Sequence, residues 1–359
     1  MRVLILANFD VGLYQFRKEL IQALLKTNEV YISLPYGELV EPLQQMGCHF
    51  LNTPLQRRGM NPLRDGKLFF SYRRIFREIK PDLVITYTIK PNIYGGFAAR
   101  LAGIPCAANI TGLGTAFQGT GMLRKIVTRM YKISLKKAKV VFFENDENRQ
   151  IFLDEKIVSE AQTCLLSGAG VNLEHYRVAD YPGGEQTKFL FIGRVMREKG
   201  VDELIDAMKR LVSEGVNCSL DMLGGFDEDY SRVIRECEEA GWLRYHGYQK
   251  DVRPFIAESH CFVLPSWHEG MANTNLECAA SGRPVITSRI HGCMEAVEDG
   301  VTGFLCEKQN TDDLYRAMKA FCALDYETRR QMGIAGRQRM ERLFDKRDVV
   351  EATIRRLGV

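Results

Sequence analysis

The run Lys188-Phe189-Leu190-Phe191-Ile192-Gly193-Arg194-Val195-Met196-Arg197-Glu198-Lys199-Gly200 decides the fold of this chain. A short apolar stretch stops at a glycine, a loop with cations follows, and residues 201–211 then place apolar side chains at helical spacing. Strand, loop and helix in that order form the repeating unit of a parallel sheet covered by helices. The unit recurs in both directions. Downstream lie a strand over 219–223, a helix over 230–240, a strand over 261–264, a helix over 274–280 and a strand over 284–287. Upstream lie a strand over 2–7 with a helix over 14–25, strands over 30–34 and 83–87, a helix over 94–101 and a strand over 140–143. The densest turn cluster, Asp180-Tyr181-Pro182-Gly183-Gly184-Glu185, separates the two series. The pattern predicts two doubly wound α/β domains, residues 1–180 and 181–340; residues 341–359 are expected as a C-terminal helix packing back on the first.

Composition agrees with that class. The 359 residues are 45% hydrophobic and 26% charged, which excludes disordered, collagen-like and disulfide-scaffold chains. No run approaches the roughly 18–20 apolar residues of a membrane-spanning helix. Met1-Arg2-Val3-Leu4-Ile5-Leu6-Ala7-Asn8 is too short an apolar stretch for a signal peptide and reads as a first strand. Ten cysteines occur, none closer to another than Cys293 is to Cys306; such scattered thiols argue against a clustered zinc site and fit a reducing cytosol. The net charge of +4 is uneven: residues 1–180 carry 24 Lys and Arg against 16 Asp and Glu (+8), residues 181–359 carry 25 against 29 (−4). The halves are therefore expected to meet different partners.

Ligands of such sheets bind beyond the carboxyl ends of the strands, so the loops there carry the candidate chemistry. Arg194 and Lys199, five residues apart before a helix start, are suited to a diphosphate, although a solvated loop can carry the same residues. Ser266-Trp267-His268-Glu269-Gly270-Met271-Ala272-Asn273-Thr274-Asn275-Leu276-Glu277 follows the strand over 261–264. Glu269 and Glu277 can each accept two hydrogen bonds, which suits vicinal sugar hydroxyls. The amides of 270–274 can face phosphate, yet Thr274-Asn275-Leu276-Glu277 also spells a capping box. Together the two loops hold what a nucleotide-sugar needs.

On Gly193-Arg194…Lys199-Gly200, Glu269-x7-Glu277 and the run from Gly292-Cys293-Met294-Glu295 to Gly303-Phe304-Leu305, the C-terminal half resembles family 4 glycosyltransferases of GT-B fold. The resemblance implies two Rossmann-like domains facing across a cleft, and a retaining, metal-independent reaction on a UDP-sugar. It implies a front-face mechanism, with catalytic roles for Arg194, Lys199 and Glu269. It implies donor contacts from Gly12, Gly193, Arg194, Lys199, Glu269, Gly270, Met271, Ala272, Asn273 and Glu277. Arg194 and Lys199 would take the diphosphate, Glu277 the ribose and Glu269 the transferred sugar. Ala272 stands where relatives often have Pro. The N-terminal motifs Gly12-Leu13-Tyr14-Gln15-Phe16-Arg17, Met60-Asn61-Pro62-Leu63, Thr88-Ile89-Lys90-Pro91-Asn92 and Thr111-Gly112-Leu113-Gly114 are similar to those of enzymes building capsular polysaccharide and undecaprenyl-diphosphate-linked glycans, the N-acetylgalactosaminyltransferase type among them. The implied acceptor is a lipid-diphosphate-linked glycan, with Asp10, Tyr14, Arg17, Lys90, Thr111 and Gly112 as acceptor-side residues. The implied product is a hexosyl or N-acetylhexosaminyl linkage.

Residue by residue, this half says less. Asp10-Val11-Gly12 reads as the first strand-to-helix loop, where Gly12 allows close approach or is a plain turn glycine. Lys90 is a surface lysine or a contact for a lipid diphosphate. Gly112-Leu113-Gly114 lacks the third glycine of a dinucleotide fingerprint, since Phe117 stands there. Residues 122–138 space Leu123, Ile126, Val127, Met130 and Tyr131 as an apolar helical stripe, with Arg124, Lys125, Arg129, Lys132, Lys136 and Lys137 largely elsewhere; no acidic residue occurs from 119 to 143. That pattern fits either a core helix with a solvated face or a helix lying on an anionic membrane. A second basic stretch runs from Arg57-Arg58 to Lys80. The expected location is cytoplasmic and peripheral on the inner face of the cell membrane. Nucleic acid is not expected, for no recognition module is present and the second half is acidic. Asp227-Glu228-Asp229 spells a metal-binding DxD but reads as a turn with first-turn acids; no metal or other cofactor is expected. His260 and His268 lack zinc spacing. The rival readings are a GT-B sugar-nucleotide epimerase, a dinucleotide oxidoreductase, disfavoured because Ser33-Leu34-Pro35 offers no acid for a ribose, and a membrane scaffold.

Overall fold

The computed structural model describes residues 1–359 apart from 56–58, 60, 115–116 and 118–120, so Arg57 and Arg58 of the basic stretch and Met60 of one motif lie outside the described residues. The chain divides into two compact units, Met1–Ala169 with Lys346–Val359, and Gly170–Asp345.

In the first unit, β1 (Arg2–Leu6), β2 (Glu29–Leu34), β3 (His49–Asn52), β4 (Leu83–Tyr87), β5 (Cys106–Ile110), β6 (Val140–Phe143) and β7 (Thr163–Leu165) form one parallel sheet in the order β3-β2-β1-β4-β5-β6-β7. Val3 lies opposite Val30 on one side and Leu83 on the other. Alternate residues of β1 enter different cores. Val3 and Ile5 pack with Leu13, Ile21 and Leu24 of the helix Asp10–Leu25. Leu4 and Leu6 pack with Tyr72 and Phe76 of the helix Pro62–Ile79. Both faces are covered, so the strand needs no polar alternation, and each such side chain contributes about 1.5–3 kcal/mol. The last helix, Lys346–Leu357, belongs to this unit: Val349 and Leu357 join the same core, and Lys346 Nζ donates to the Phe16 carbonyl at 3.2 Å. It starts at Lys346 because residues up to Leu343 complete the preceding helix, Tyr326–Leu343.

In the second unit, β8 (Thr187–Ile192), β9 (Cys218–Leu223), β10 (Leu243–Gly247), β11 (Cys261–Leu264), β12 (Val285–Ser288) and β13 (Gly303–Cys306) form a parallel sheet in the order β10-β9-β8-β11-β12-β13. Phe189, Phe191 and Phe262 centre its core, with Leu204 and Met208 of the helix Val201–Ser213 and Met318 and Phe321 of the helix Thr311–Cys322. Residues 170–180 lie in this unit, so the turn cluster falls inside its edge rather than at the boundary. Arg283 is the reason. Its buried guanidinium donates to the carbonyls of Ala179 (3.1 Å), Asp180 (2.8 Å) and Ala257 (2.8 Å), and the Tyr181 hydroxyl donates to the His260 carbonyl at 2.8 Å. A buried cation with its donors satisfied in this way holds the segment on the second sheet.

Candidate active site

The second sheet reverses strand order at β8 and β11, so the loops leaving their carboxyl ends lie side by side. Gly200 joins them. Its φ is +72°, and a Cβ there would strike the Pro265 carbonyl, so backbone and packing both require glycine. Ser266 Oγ (3.3 Å) and Trp267 N (2.9 Å) both donate to the Glu198 carbonyl. Loops 193–200 and 265–272, some seventy residues apart in the chain, become one surface.

Lys199 Nζ donates to the Glu269 carboxylate, which also accepts from Ser266 Oγ at 2.8 Å. Both side chains are largely covered, 17% and 12% exposed. Arg194 is open, 54% exposed, and pairs with Asp227 Oδ2 at 2.6 Å. Glu228 accepts the Arg197 N–H at 2.8 Å. Of the Asp-Glu-Asp run, only Asp229 meets the following helix, accepting from Ser231 N at 3.2 Å and Ser231 Oγ at 2.6 Å. Asp227 and Glu228 instead brace the loop carrying Arg194, a role that no motif signals. Among the described residues, no group of three or more His, Cys, Asp and Glu is placed to hold a metal ion.

The helix Asn273–Ala280 starts one residue earlier than its pattern predicts. Ala272 precedes it without any side-chain cap, so the capping box at Thr274–Glu277 does not form and the first-turn amides have no side-chain acceptor there. Glu277 accepts the Tyr176 hydroxyl; burial first, and that carboxylate second, push the Tyr176 pKa up. Met271 and Ala272 point into the core, which leaves only their backbone to face a ligand. Gly292, φ +89°, lies against the Glu269 and Gly270 carbonyls and accepts the Ala272 N–H at 2.7 Å. Glu295 fastens Gly292 N (2.7 Å) and His291 Nδ1 (2.8 Å). Asn273 Oδ1 is buried with no hydrogen-bond partner. Gly193 packs its α-carbon against the Phe191 ring and donates its N–H to the Leu223 carbonyl at 2.9 Å.

The first sheet reverses at β1 and β4. Asp10-Val11-Gly12 is the first turn of the helix Asp10–Leu25, not a loop, because a carboxylate at Asp10 suits the positive helix end. Asp10 also accepts the Leu39 N–H at 2.7 Å. Gly12 lies under the Phe9 ring, and Tyr14 carries Lys18 Nζ 5.3 Å from its ring centre. Arg17 is a buried-pair residue: it binds the Glu144 carboxylate, and its guanidinium lies 5.1 Å from the Tyr87 ring centre. Burial raises the Glu144 pKa more than Arg17 lowers it. Lys90 is not an ordinary surface lysine; it pairs with buried Asp65 at 2.7 Å, and Asp65 also accepts Asn61 N at 3.2 Å and the Tyr94 hydroxyl. Thr111 and Gly112 follow β5, half-buried. Two residues to which the sequence reading gave no role, one of them inside the motif Thr88–Asn92, stand at the same strand ends. Thr88 holds φ +72°, strained for a β-branched residue, and its hydroxyl is buried without a partner, as is Asn8 Oδ1.

The helix Met122–Leu135 corrects the stripe read from its sequence. It buries Val127, Thr128, Tyr131, Ser134 and Leu135, while Leu123 and Ile126 are exposed with Met122 and Ile133. Lys125, Arg129, Lys132 and Lys136 are exposed beside them, and Arg124 pairs with Glu155 at 3.2 Å. No helix among the described residues is long and apolar enough to cross a membrane.

Residues 2–145 match the family model Glycosyl transferase 4-like, and residues 186–323 match Glycosyl transferases group 1. The chain is 27% identical over 332 residues to an N,N'-diacetylbacillosaminyl-diphospho-undecaprenol alpha-1,3-N-acetylgalactosaminyltransferase of Campylobacter jejuni, covering 88% of this chain and 87% of that one. It is 26% identical over 293 residues, 74% and 72% of the two chains, to a UDP-Gal:alpha-D-GlcNAc-diphosphoundecaprenol alpha-1,3-galactosyltransferase of Escherichia coli. The crystal structure of Anabaena HepE in complex with UDP and glucose shares the fold, with a TM-score of 0.82 at 16% identity over 100% and 99% of the two chains.

Proposed function

Because the chain is a glycosyltransferase of GT-B fold, built from a glycosyl transferase 4-like unit and a group 1 unit, we propose that it transfers an N-acetylhexosamine or hexose from a UDP-sugar to a lipid-diphosphate-linked glycan in surface polysaccharide synthesis. The observation that carries the donor side is the junction of β8 and β11, where Arg194, Lys199, Glu269 and an uncapped helix start share one surface. Arg194 and Lys199 take the diphosphate and stabilise the charge that grows on it as the sugar leaves. The amides at the helix start, apart from that of Ala272, which the Gly292 carbonyl takes, add donors at the helix's positive end. Glu277, oriented by Tyr176, takes the ribose hydroxyls, and Glu269 those of the transferred sugar. A diphosphate must compete with Asp227 for Arg194 and with Glu269 for Lys199. We assign the reaction no metal: protein cations supply the charge, and the acids of the Asp-Glu-Asp run already hold loop 194–197 and a helix start.

Retention is supported by the alpha-1,3 products in the names of both relatives, since UDP-sugars are commonly α-linked. The same names state transfer to diphospho-undecaprenol-linked sugars and favour transferase over epimerase. On the acceptor side, Asp10, Tyr14, Thr111 and Gly112 line the first unit's strand ends, with Arg17 and Lys90 bracing that wall through buried pairs. The helix Met122–Leu135 attaches the chain peripherally to the inner membrane face, its exposed Met122, Leu123, Ile126 and Ile133 entering the interface beside its cations.

The test is transfer from a panel of UDP-sugars to undecaprenyl-diphosphate-linked sugars in excess EDTA, with the product anomer read by NMR. An α-linked product formed in EDTA is expected. Loss of transfer in EDTA overturns the metal-free reading, a β-linked product overturns retention, and epimerised UDP-sugar without transfer overturns the reaction itself.

A further inference from the structure

The helix Met122–Leu135 carries a second feature beside its apolar face. Arg124, Thr128 and Lys132 succeed one another at four-residue spacing, Lys125 and Arg129 form a parallel row one residue on, and with Glu155 they line an open cavity of about 510 Å³. Four cations thus face one carboxylate. Glu155 is engaged by Arg124 at 3.2 Å, and Arg124 is further held 5.7 Å from the Phe117 ring centre. The side chains of Lys125, Arg129 and Lys132 have no ion-pair or hydrogen-bond partner among the described residues. Thr128, only 6% exposed, is the buried member of the two rows, and its hydroxyl has no hydrogen-bond partner. Buried hydroxyls are normally paired, and a helical Thr usually bonds the carbonyl four residues back. An unpaired hydroxyl among three unpaired cations suits a ligand with several strong acceptor oxygens.

We propose that this cavity is a phosphate-binding pocket, separate from the β8/β11 site, that takes a phosphate or diphosphate group. Arg129, Lys132 and Lys125 supply the charge, Thr128 a neutral donor at the floor, and the Arg124–Glu155 pair the fixed wall. The group can come from a lipid headgroup or from solution. Only the lipid source rests on the membrane reading above; the pocket chemistry does not.

The test uses full-length protein carrying Arg194→Ala and Lys199→Ala, so that the nucleotide site does not contribute. Inorganic pyrophosphate is titrated calorimetrically. In this background, binding is expected, about tenfold weaker in Arg129→Ala/Lys132→Ala. It is also expected to be several-fold weaker in Thr128→Val, a near-isosteric change whose melting temperature is unchanged or higher, and unaltered in Arg73→Ala/Arg77→Ala, which removes equal charge from another helix. Release of the protein from phosphatidylglycerol vesicles by pyrophosphate assigns the pocket to a headgroup; binding without release assigns it to a free phosphate. Absence of pyrophosphate binding, or equal weakening by both double variants, overturns the pocket. Neither result alters sugar transfer in detergent, which tests the catalytic reading separately.

Discussion

Both sheets reverse strand order at their centre and both place cations at the strand ends, but the cations are held differently. In the second unit Arg194 is open to solvent, and its neighbour Lys199 shares a surface with it and with an uncapped helix start. In the first unit Arg17 lies in a buried pair against Tyr87, and Lys90 is closed in by Asp65 and Tyr94. Lys199 and Lys90 are about equally covered, so burial alone does not separate them. What separates them is their further company: both face a carboxylate, but Lys199 has a second cation and a helix start without a side-chain cap beside it, whereas the Asp65 that holds Lys90 also takes a phenol. A cation after a strand is a ligand group only where the fold leaves it competitors weak enough for a ligand to displace.

The comparison can be broken most visibly at Arg17. Arg17→Ala strips Glu144 of its partner and is expected to lower the unfolding free energy by about 3–5 kcal/mol, read by urea denaturation. Intact stability with lost acceptor binding would make Arg17 a ligand residue and erase the contrast. Arg194→Ala is the mirror image. It is expected to cut kcat/KM for the UDP-sugar about 10²–10³-fold while shifting stability by less than about 1 kcal/mol, as its pair with Asp227 is exposed. Turnover near wild type would remove Arg194 from the reaction.

A third experiment sharpens the difference through pH. Burial, reinforced by Arg329, Lys188 and Arg283, pushes the His260 pKa down from 6.5 to about 4, and the neutral ring accepts the Lys188 N–H at 3.1 Å. The unfolded chain therefore binds this proton where the folded one does not, and the stability that His260 lends is present above pH 6.5 and lost as pH falls toward 4. The loss is on the order of 3 kcal/mol at most. His260→Asn should flatten this part of the stability–pH curve; an unchanged slope sinks the assignment. The smallest effect is at Thr88. Thr88→Gly should raise stability by about 1 kcal/mol by releasing left-handed strain, a melting-temperature shift of a few degrees; a lower melting temperature would show that the Thr88 side chain is structurally needed.

The interior strands were legible because continuous apolar runs such as Phe189-Leu190-Phe191 have few other homes. Four of the unread strands, β3, β7, β10 and β13, are sheet edges; in the first three, partial exposure admits His49, Thr163, Arg244 and His246 and hides the pattern, and β13 is only four residues long and opens on a glycine. The fifth, β5, is interior but built of Cys106-Ala107-Ala108-Asn109-Ile110, too small and polar to stand out. The donor loops were legible for a related reason: Arg194, Lys199, Glu269 and Glu277 follow strands of strong pattern, so topology alone brings them near one another. Their braces were not. Asp227, Glu228, Ser266 and Tyr176 act through contacts between segments distant in sequence, and the strain at Thr88 is a property of backbone that no residue type announces.

The sequence by itself determined the class, two doubly wound sheets, and put forward Arg194, Lys199, Glu269 and Glu277 as the candidates for a nucleotide-sugar, because period and loop position are local quantities. Only the tertiary structure decided where the units divide, through Arg283's grip on residues 179 and 180. It also decided which cations are buried in pairs and which side of the helix Met122–Leu135 faces out. Those outcomes depend on desolvation and on partners contributed by other elements, and neither can be read along a single stretch of chain.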